Sequence, residues 1–190
     1  MLKISREWAM PSAWTFTIPP IRNNIIRKYV GNGKGWIDPF AGNNSPAEFK
    51  NDMNPARKAQ YHMDAEEFCK MMASDDSKWL WYDGILFDPP YSTRQISEHY
   101  KVMSKILDPA KAYKVNSLDT SPVFYNRVKD AIYHKIKPGG FAISFGWNTV
   151  GFGKKRGFKI IEVLIVCHGA GHNDTLCTVE QKVNNVLLGQ

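Results

Sequence analysis

The spacing of apolar and polar positions changes period several times along the chain. Runs rich in aromatic and β-branched residues, GWIDPF (35–40), EFKND (48–52), AQYHMD (59–64), GILFDPP (84–90), GFAISFGW (140–147), KIIEVLIVCHG (159–169) and TLCTVEQKV (175–183), read as seven strands. Between them, DAEEFCKMMAS (64–74) and PVFYNRVKDAIYHKIKPGG (122–140) carry helical spacing. The second sets Phe124, Val128, Ile132 and Ile136 on one face and stops at Pro138-Gly139-Gly140. Strands alternating with helices predict an α/β fold, a largely parallel sheet with helices on both sides. The last two strands are joined across GAGHND, short enough for an antiparallel hairpin. No internal repeat or low-complexity tract interrupts the pattern, and 190 residues fit a single domain over 1–190.

Composition narrows this picture. A hydrophobic share of 43% is that of a chain with a real core, and no apolar run approaches the length of a membrane span. The start, MLKISREWAM, lacks the apolar stretch of a secretory signal, so a cytoplasmic location is expected. Cys69, Cys167 and Cys177 are widely spaced with no C-x-x-C pair, which argues against disulfides and against a zinc site; no metal is expected. The net charge of +7 favours a polyanionic partner such as nucleic acid, although charge alone does not establish one.

In open α/β sheets ligands bind beyond the carboxyl ends of the strands. Asp38, Asp52, Asp64 and Asp88 each close a predicted strand. A lone Asp there is usually a turn former, but four in series point to a site.

The most informative residues are Asp88-Pro89-Pro90-Tyr91, directly after GILF. An amino group on an aromatic heterocycle is a poor nucleophile because its lone pair is delocalised into the ring. A carboxylate accepting one N–H and a fixed backbone carbonyl accepting the other localise that pair and aim it at an electrophile. Asp88 suits the first task and the Pro89 carbonyl the second, with the Pro-Pro pair limiting the backbone. Tyr91 offers a ring on which an extruded base can stack. The plain alternative is a stiff turn after a strand.

Asp38-Pro39-Phe40-Ala41-Gly42, after GWI, has the acidic residue and the close-approach glycine that a nucleoside-type cofactor needs. A cofactor pocket and an amino-group clamp about fifty residues apart are chemically complementary.

The order DPFAG, NDMNP, YHMDAEEF, ILFDPPY resembles the amino-methyltransferases of nucleic acids, which make N6-methyladenine and N4-methylcytosine. SFGWNTVGFGKKRGF and GHNDTLCTVEQK are similar to the later part of small adenine-specific DNA methylases common in phages and mobile elements. The resemblance spans roughly residues 14 to 182. It implies a Rossmann-like seven-stranded mixed sheet ordered 3-2-1-4-5-7-6, strand seven antiparallel, counting GWIDPF as strand one, with S-adenosylmethionine as cofactor. By the same resemblance Asp38, Pro39, Phe40, Ala41, Gly42 and Asn43 border the methionine part of the cofactor. Asp52 and Met53 lie at its ribose, and Asp64 and Ala65 at its adenine. Asp88 faces both cofactor and base, the base roles of Asp88, Pro89, Pro90 and Tyr91 being those given above. Phe16 and Ile18, in WTFTIPPI, either complete the methionine pocket or are plain core.

Only about ten residues separate Gly42 from Asp52, too few for a full crossover helix. The first crossover is therefore expected to be shortened, or replaced by the N-terminal segment. Residues 92–122 form an insertion whose Arg94, Lys101, Lys111 and Lys114 suit phosphate contacts as well as a solvated helix. Lys154, Lys155 and Arg156 are expected to overhang the site and bind phosphate, with Trp147 and Asn148 touching the base or packing beneath it. His172-Asn173-Asp174 reads as a hairpin turn. The expected activity is methylation of a base amino group in double-stranded DNA, most simply adenine N6. The rivals are an RNA substrate and a non-catalytic partner subunit with the same fold; protein glutamine methylation is disfavoured because Asp, not Asn, opens the motif.

Overall fold

A computed structural model of the chain describes residues 1–74, 81–90, 121–169 and 171–183. Seven strands form one sheet: β1 (Lys3–Trp8), β2 (Trp36–Asp38), β3 (Phe49–Lys50), β4 (Tyr82–Phe87), β5 (Ile136–Gly146), β6 (Phe158–Cys167) and β7 (Thr175–Lys182), in the order β1-β6-β7-β5-β4-β2-β3. β7 is antiparallel to β5 and β6, and the other pairs are parallel. From β3 to β6 this is the expected order 2-1-4-5-7-6.

The two edges differ from expectation. AQYHMD contributes an isolated bridge, Asn51 to Tyr61, rather than a strand. Backbone bonds hold Tyr61 to Lys50 and Asp52, and past them a side chain takes over: Asn51 Oδ1 accepts from the Met63 N–H at 3.1 Å, and Asn51 Nδ2 donates to the Met63 carbonyl at 3.0 Å. At the other edge KISREW, with charges and apolar residues intermixed, becomes β1 by pairing along β6. The predicted helix over 122–140 also ends early, and Ile136 opens β5 instead of closing a helical stripe. Four residues of β5 between Ile136 and Phe141 are accommodated against a shift from Tyr82 to Gly84 in β4, so the Pro-Gly-Gly bend is absorbed as an irregularity of the strand.

Among the described residues, two helices lie on one face. α1 (Ala65–Ser74) is capped by Asp64, whose Oδ1 accepts from the Glu66 N–H at 2.8 Å, and it buries Ala65, Phe68, Cys69 and Met72 at helical spacing. α2 (Pro122–Ile132) starts with Ser121 as cap and proline in its first turn, and it buries Phe124, Tyr125, Val128 and Ile132. These side chains meet Ile37, Ile85, Phe87 and Ala142 of the sheet. The other face is covered by a helix over Ile21–Val30 with the wide i→i+5 winding, closed by Gly31 N–H to Ile26 C=O at 3.0 Å. Its Ile21, Ile25, Ile26 and Val30 pack with Leu86, Ile143, Phe145, Leu164 and Val166. Ala47 joins that cluster, so the N-terminal helix covers the face beside a β2–β3 connection without helix of its own.

Residues 147–157 run back along the sheet and are held by buried charges. Glu180, wholly buried, accepts from the N–H groups of Phe152 at 2.6 Å and Gly153 at 2.8 Å, and the Lys129 ammonium donates to the Gly151 carbonyl at 2.6 Å. Gly151 has φ +54°, and a Cβ there would meet the Glu180 carboxylate. The cysteine thiols are buried, and no described helix is long and apolar enough to cross a membrane.

Candidate active site

Three acidic residues, Asp38, Asp52 and Asp88, follow or end neighbouring strands at the carboxyl end of the sheet. Asp38 ends β2 and is wholly buried. Its Oδ1 accepts from the Phe40 N–H at 2.9 Å and its Oδ2 from the Ser45 hydroxyl at 2.6 Å. Burial raises its pKa to about 7, those hydrogen bonds opposing, with the charges of Asp88 and Asp52 adding to the rise. Asp52 shapes the adjoining loop: Oδ2 accepts from the Gly42 N–H and Oδ1 from the Asn54 N–H, both at 2.9 Å. Asp88 follows β4, and burial lifts its carboxyl to about 6 against a hydrogen bond from the Thr15 side chain. No described Lys or Arg forms an ion pair with Asp38 or Asp88.

The loop after β2 is built for close approach. Gly42 sits at φ +55° with the Trp14 ring 3.4 Å from where a Cβ would stand, and Arg57 lies over that ring at 5.1 Å. Pro39 and Ala41 are tied to Asn51, whose Nδ2 donates to the Pro39 carbonyl at 3.1 Å and whose carbonyl accepts from the Ala41 N–H at 2.8 Å. Phe40 stands edge-on to Phe87 at 5.4 Å. Asn43 Oδ1 accepts from the Lys58 N–H at 3.1 Å, fastening the loop's far side. Met53 is half-buried beside Asp52.

The turn after β4 is held from α2. Pro89 is buried, and the Tyr125 hydroxyl donates to the Pro90 carbonyl, which ties the end of the turn to α2. Phe16 and Ile18 are buried in the core, Phe16 edge-on to Phe145 at 5.4 Å. Asp64 caps α1 with Ala65 buried behind it. Trp147 and Asn148 leave β5 at the same end of the sheet as Asp88, Trp147 at 47% exposure. Tyr91, Arg94, Lys101, Lys111 and Lys114 lie outside the described residues.

One expectation is corrected. Lys154, Lys155 and Arg156 do not overhang the site. They lead into β6 at Phe158, whose partner Lys182 is next to Gln181, the partner of Phe141, whereas Asp88 follows Phe87 at the level of Ser144. Arg156 is built in: Nε donates to Asp130 at 2.8 Å, Nη1 to the Phe152 carbonyl at 2.9 Å and Nη2 to Asn126 Oδ1 at 3.1 Å. Gly151 and Gly153, at φ 54° and 79°, let the loop fold back along the sheet.

Sequence reasoning passed over Trp14, Thr15, Asn51 and Tyr125. Tyr125 adjoins the apolar stripe of its helix and carried a signal only as a polar tip beside Phe124; the other three act through contacts distant in sequence.

No family model and no curated protein matches the sequence. Among solved structures, TrmN from Thermus thermophilus superposes with a TM-score of 0.51 at 14% identity, over 87% of this chain and 49% of that one. The chain thus spans about half the length of TrmN. The N-methyltransferase NodS from Bradyrhizobium japonicum, crystallised with S-adenosyl-L-homocysteine, matches at a TM-score of 0.44 and 10% identity, over 78% of this chain and 76% of that one. The chain has the Rossmann-like methyltransferase fold.

Proposed function

We propose that this chain is an S-adenosylmethionine-dependent methyltransferase acting on the exocyclic amino group of a base in DNA, adenine N6 in the first instance. The observation that carries the reading is the Asp88-Pro89-Pro90 turn, its last carbonyl tied by Tyr125, set at the end of β4 beside the buried Asp38 and Asp52.

The donor set fits such a cofactor. Asp38 is a buried carboxyl raised to about 7, an environment that a ligand's positive charge would relieve. The Asp52 carboxylate, ordered by the Gly42 and Asn54 N–H groups, is the acceptor type that ribose hydroxyls require. Gly42 leaves room for backbone approach. The cofactor supplies an electrophilic methyl on a sulfonium.

The chain's own residues prepare the nucleophile. Asp88, ionised above about pH 6, accepts one N–H of the base, and the Pro89 carbonyl accepts the other, so the lone pair localises on nitrogen. Trp147 at the rim offers a ring for the extruded base or its neighbour. No covalent intermediate is needed, and none of the three cysteines, all buried, serves as a nucleophile.

The test is incubation of the purified chain with cofactor labelled in its methyl group, together with duplex DNA or RNA, followed by mass analysis of the nucleosides. Labelled N6-methyladenine from DNA is expected. Label confined to RNA moves the substrate, and absence of label with both favours a non-catalytic subunit.

A further inference from the structure

The outer edge of β1 is unpaired among the described residues, and it carries a self-complementary pattern. β1 binds β6 in parallel, and the Ala9 N–H donates to the Cys167 carbonyl at 3.1 Å. Backbone groups alternate sides along a strand, so those of Lys3, Ser5, Glu7 and Ala9 face β6, and those of Leu2, Ile4, Arg6 and Trp8 face outward. The side chains on these outward residues are exposed: Leu2 at 49%, Ile4 at 64% and Trp8 at 65%. Natural edge strands are usually short, bulged or charged to prevent pairing; this one is six residues long, and its charges, Lys3, Arg6 and Glu7, are of both signs beside the exposed Ile4 and Trp8, a mixture that repels an unrelated strand less than it matches its own copy.

We infer that β1 is the docking edge for a second copy of this chain, pairing antiparallel with its own symmetry mate about a two-fold axis at Ser5. The outward backbone groups restrict the register. Hydrogen-bonded pairs must join even-numbered residues, so Ser5 can face Ser5, or the strands can slide by two residues from that arrangement. Charge selects among these. Centred on Ser5, Lys3 faces Glu7 of the other copy twice over, Leu2 faces Trp8, and Ile4 faces Arg6. Sliding to put the axis at Arg6 sets two arginines opposite each other, and sliding the other way leaves Lys3 facing Ser5. A two-fold contact of this kind is closed, so it gives a dimer rather than a fibre, with one continuous sheet through both copies. The antiparallel join points the two acidic strand ends in opposite directions, so each copy keeps its own pocket.

Sedimentation of the full chain over a concentration series tests this, together with a Ser5→Cys variant. A monomer–dimer equilibrium is expected, and Ser5→Cys should form a covalent dimer on oxidation, because a non-hydrogen-bonded antiparallel pair brings its Cα atoms to about 4.5 Å, within disulfide reach. The native thiols are buried and leave the readout clean. Trp8→Lys, exposed and outside the core, should weaken the dimer about tenfold or more. A wild-type chain that stays monomeric throughout overturns the inference. So does a dimer that Ser5→Cys fails to link, or an edge that associates only when a DNA duplex is added.

Discussion

Asp38 and Glu162 are both nearly inaccessible acids of the same sheet, and they behave in opposite ways. Beyond β2, Asp38 is met among the described residues by a hydroxyl and an N–H, and burial pushes it up to about 7. Near the β1 edge, burial acts on Glu162 in the same sense, but the hydrogen bonds from Lys28, Lys3 and Tyr29, at 2.5 to 2.8 Å, outweigh it and hold the carboxyl at about 2. The contrast separates a buried charge with cationic partners inside the fold from one without them among the described residues. Glu162 fastens β1 and the N-terminal helix to β6, a structural task. Asp38 costs stability when ionised, and sites of that kind are retained where a ligand makes use of them.

Removing the acids by turns breaks the contrast or sharpens it. Asp88→Ala should lower methyl transfer to DNA by about 10²–10³-fold with the thermal midpoint unchanged or raised, since no described cation pairs with the carboxyl that is lost; steady-state rates and a melting curve decide it, and a variant that keeps its rate excludes the clamp. Glu162→Ala should do the reverse. Loss of its charge-assisted hydrogen bonds should cost about 2–3 kcal/mol in denaturant unfolding, with cofactor affinity unaltered.

The pH profiles should also run in opposite directions. The folded-state pKa of Glu162 is depressed, so its contribution is fully present above about pH 4.5 and is lost as pH falls toward 2. That of Asp38 is raised, so stability of the cofactor-free chain should decline as pH climbs from about 4 to about 7. Over the upper part of that range cofactor affinity, read by calorimetry, should rise by up to about tenfold per pH unit and level off above about 7. Asp38→Asn should flatten both profiles; an unchanged slope would assign the titration to another group. The smallest effect is expected at Tyr125. Tyr125→Phe frees the Pro90 carbonyl and should reduce kcat about five- to tenfold, the worth of one hydrogen bond, while leaving cofactor affinity alone, as equilibrium binding beside turnover would show.

Much of this architecture was legible locally. The apolar run of GILF, the helical stripe of Phe68 and Met72, and the hairpin spacing before Thr175 each depend on neighbours a few residues away, so periodicity reports them. The acids at strand ends were legible for the same reason. The errors fall where a distant partner overrides local preference. AQYHMD has the pattern of a strand but past Tyr61 is held by the Asn51 side chain, and KISREW lacks a clear pattern yet becomes a strand because β6 presents an open edge. Lys154, Lys155 and Arg156 look like a phosphate clamp in sequence, yet Asp130, Asn126 and Glu180 hold that stretch along the flank.

By itself the sequence determined the α/β class and the carboxylates that follow the strands, because each follows from residues adjacent along the chain. Only the tertiary structure decided which strands form the edges, which basic residues stand near the pocket, and that Trp14, Thr15 and Tyr125 close around it. Those outcomes depend on contacts between segments tens of residues apart, where burial and the supply of hydrogen-bond partners outweigh local propensity.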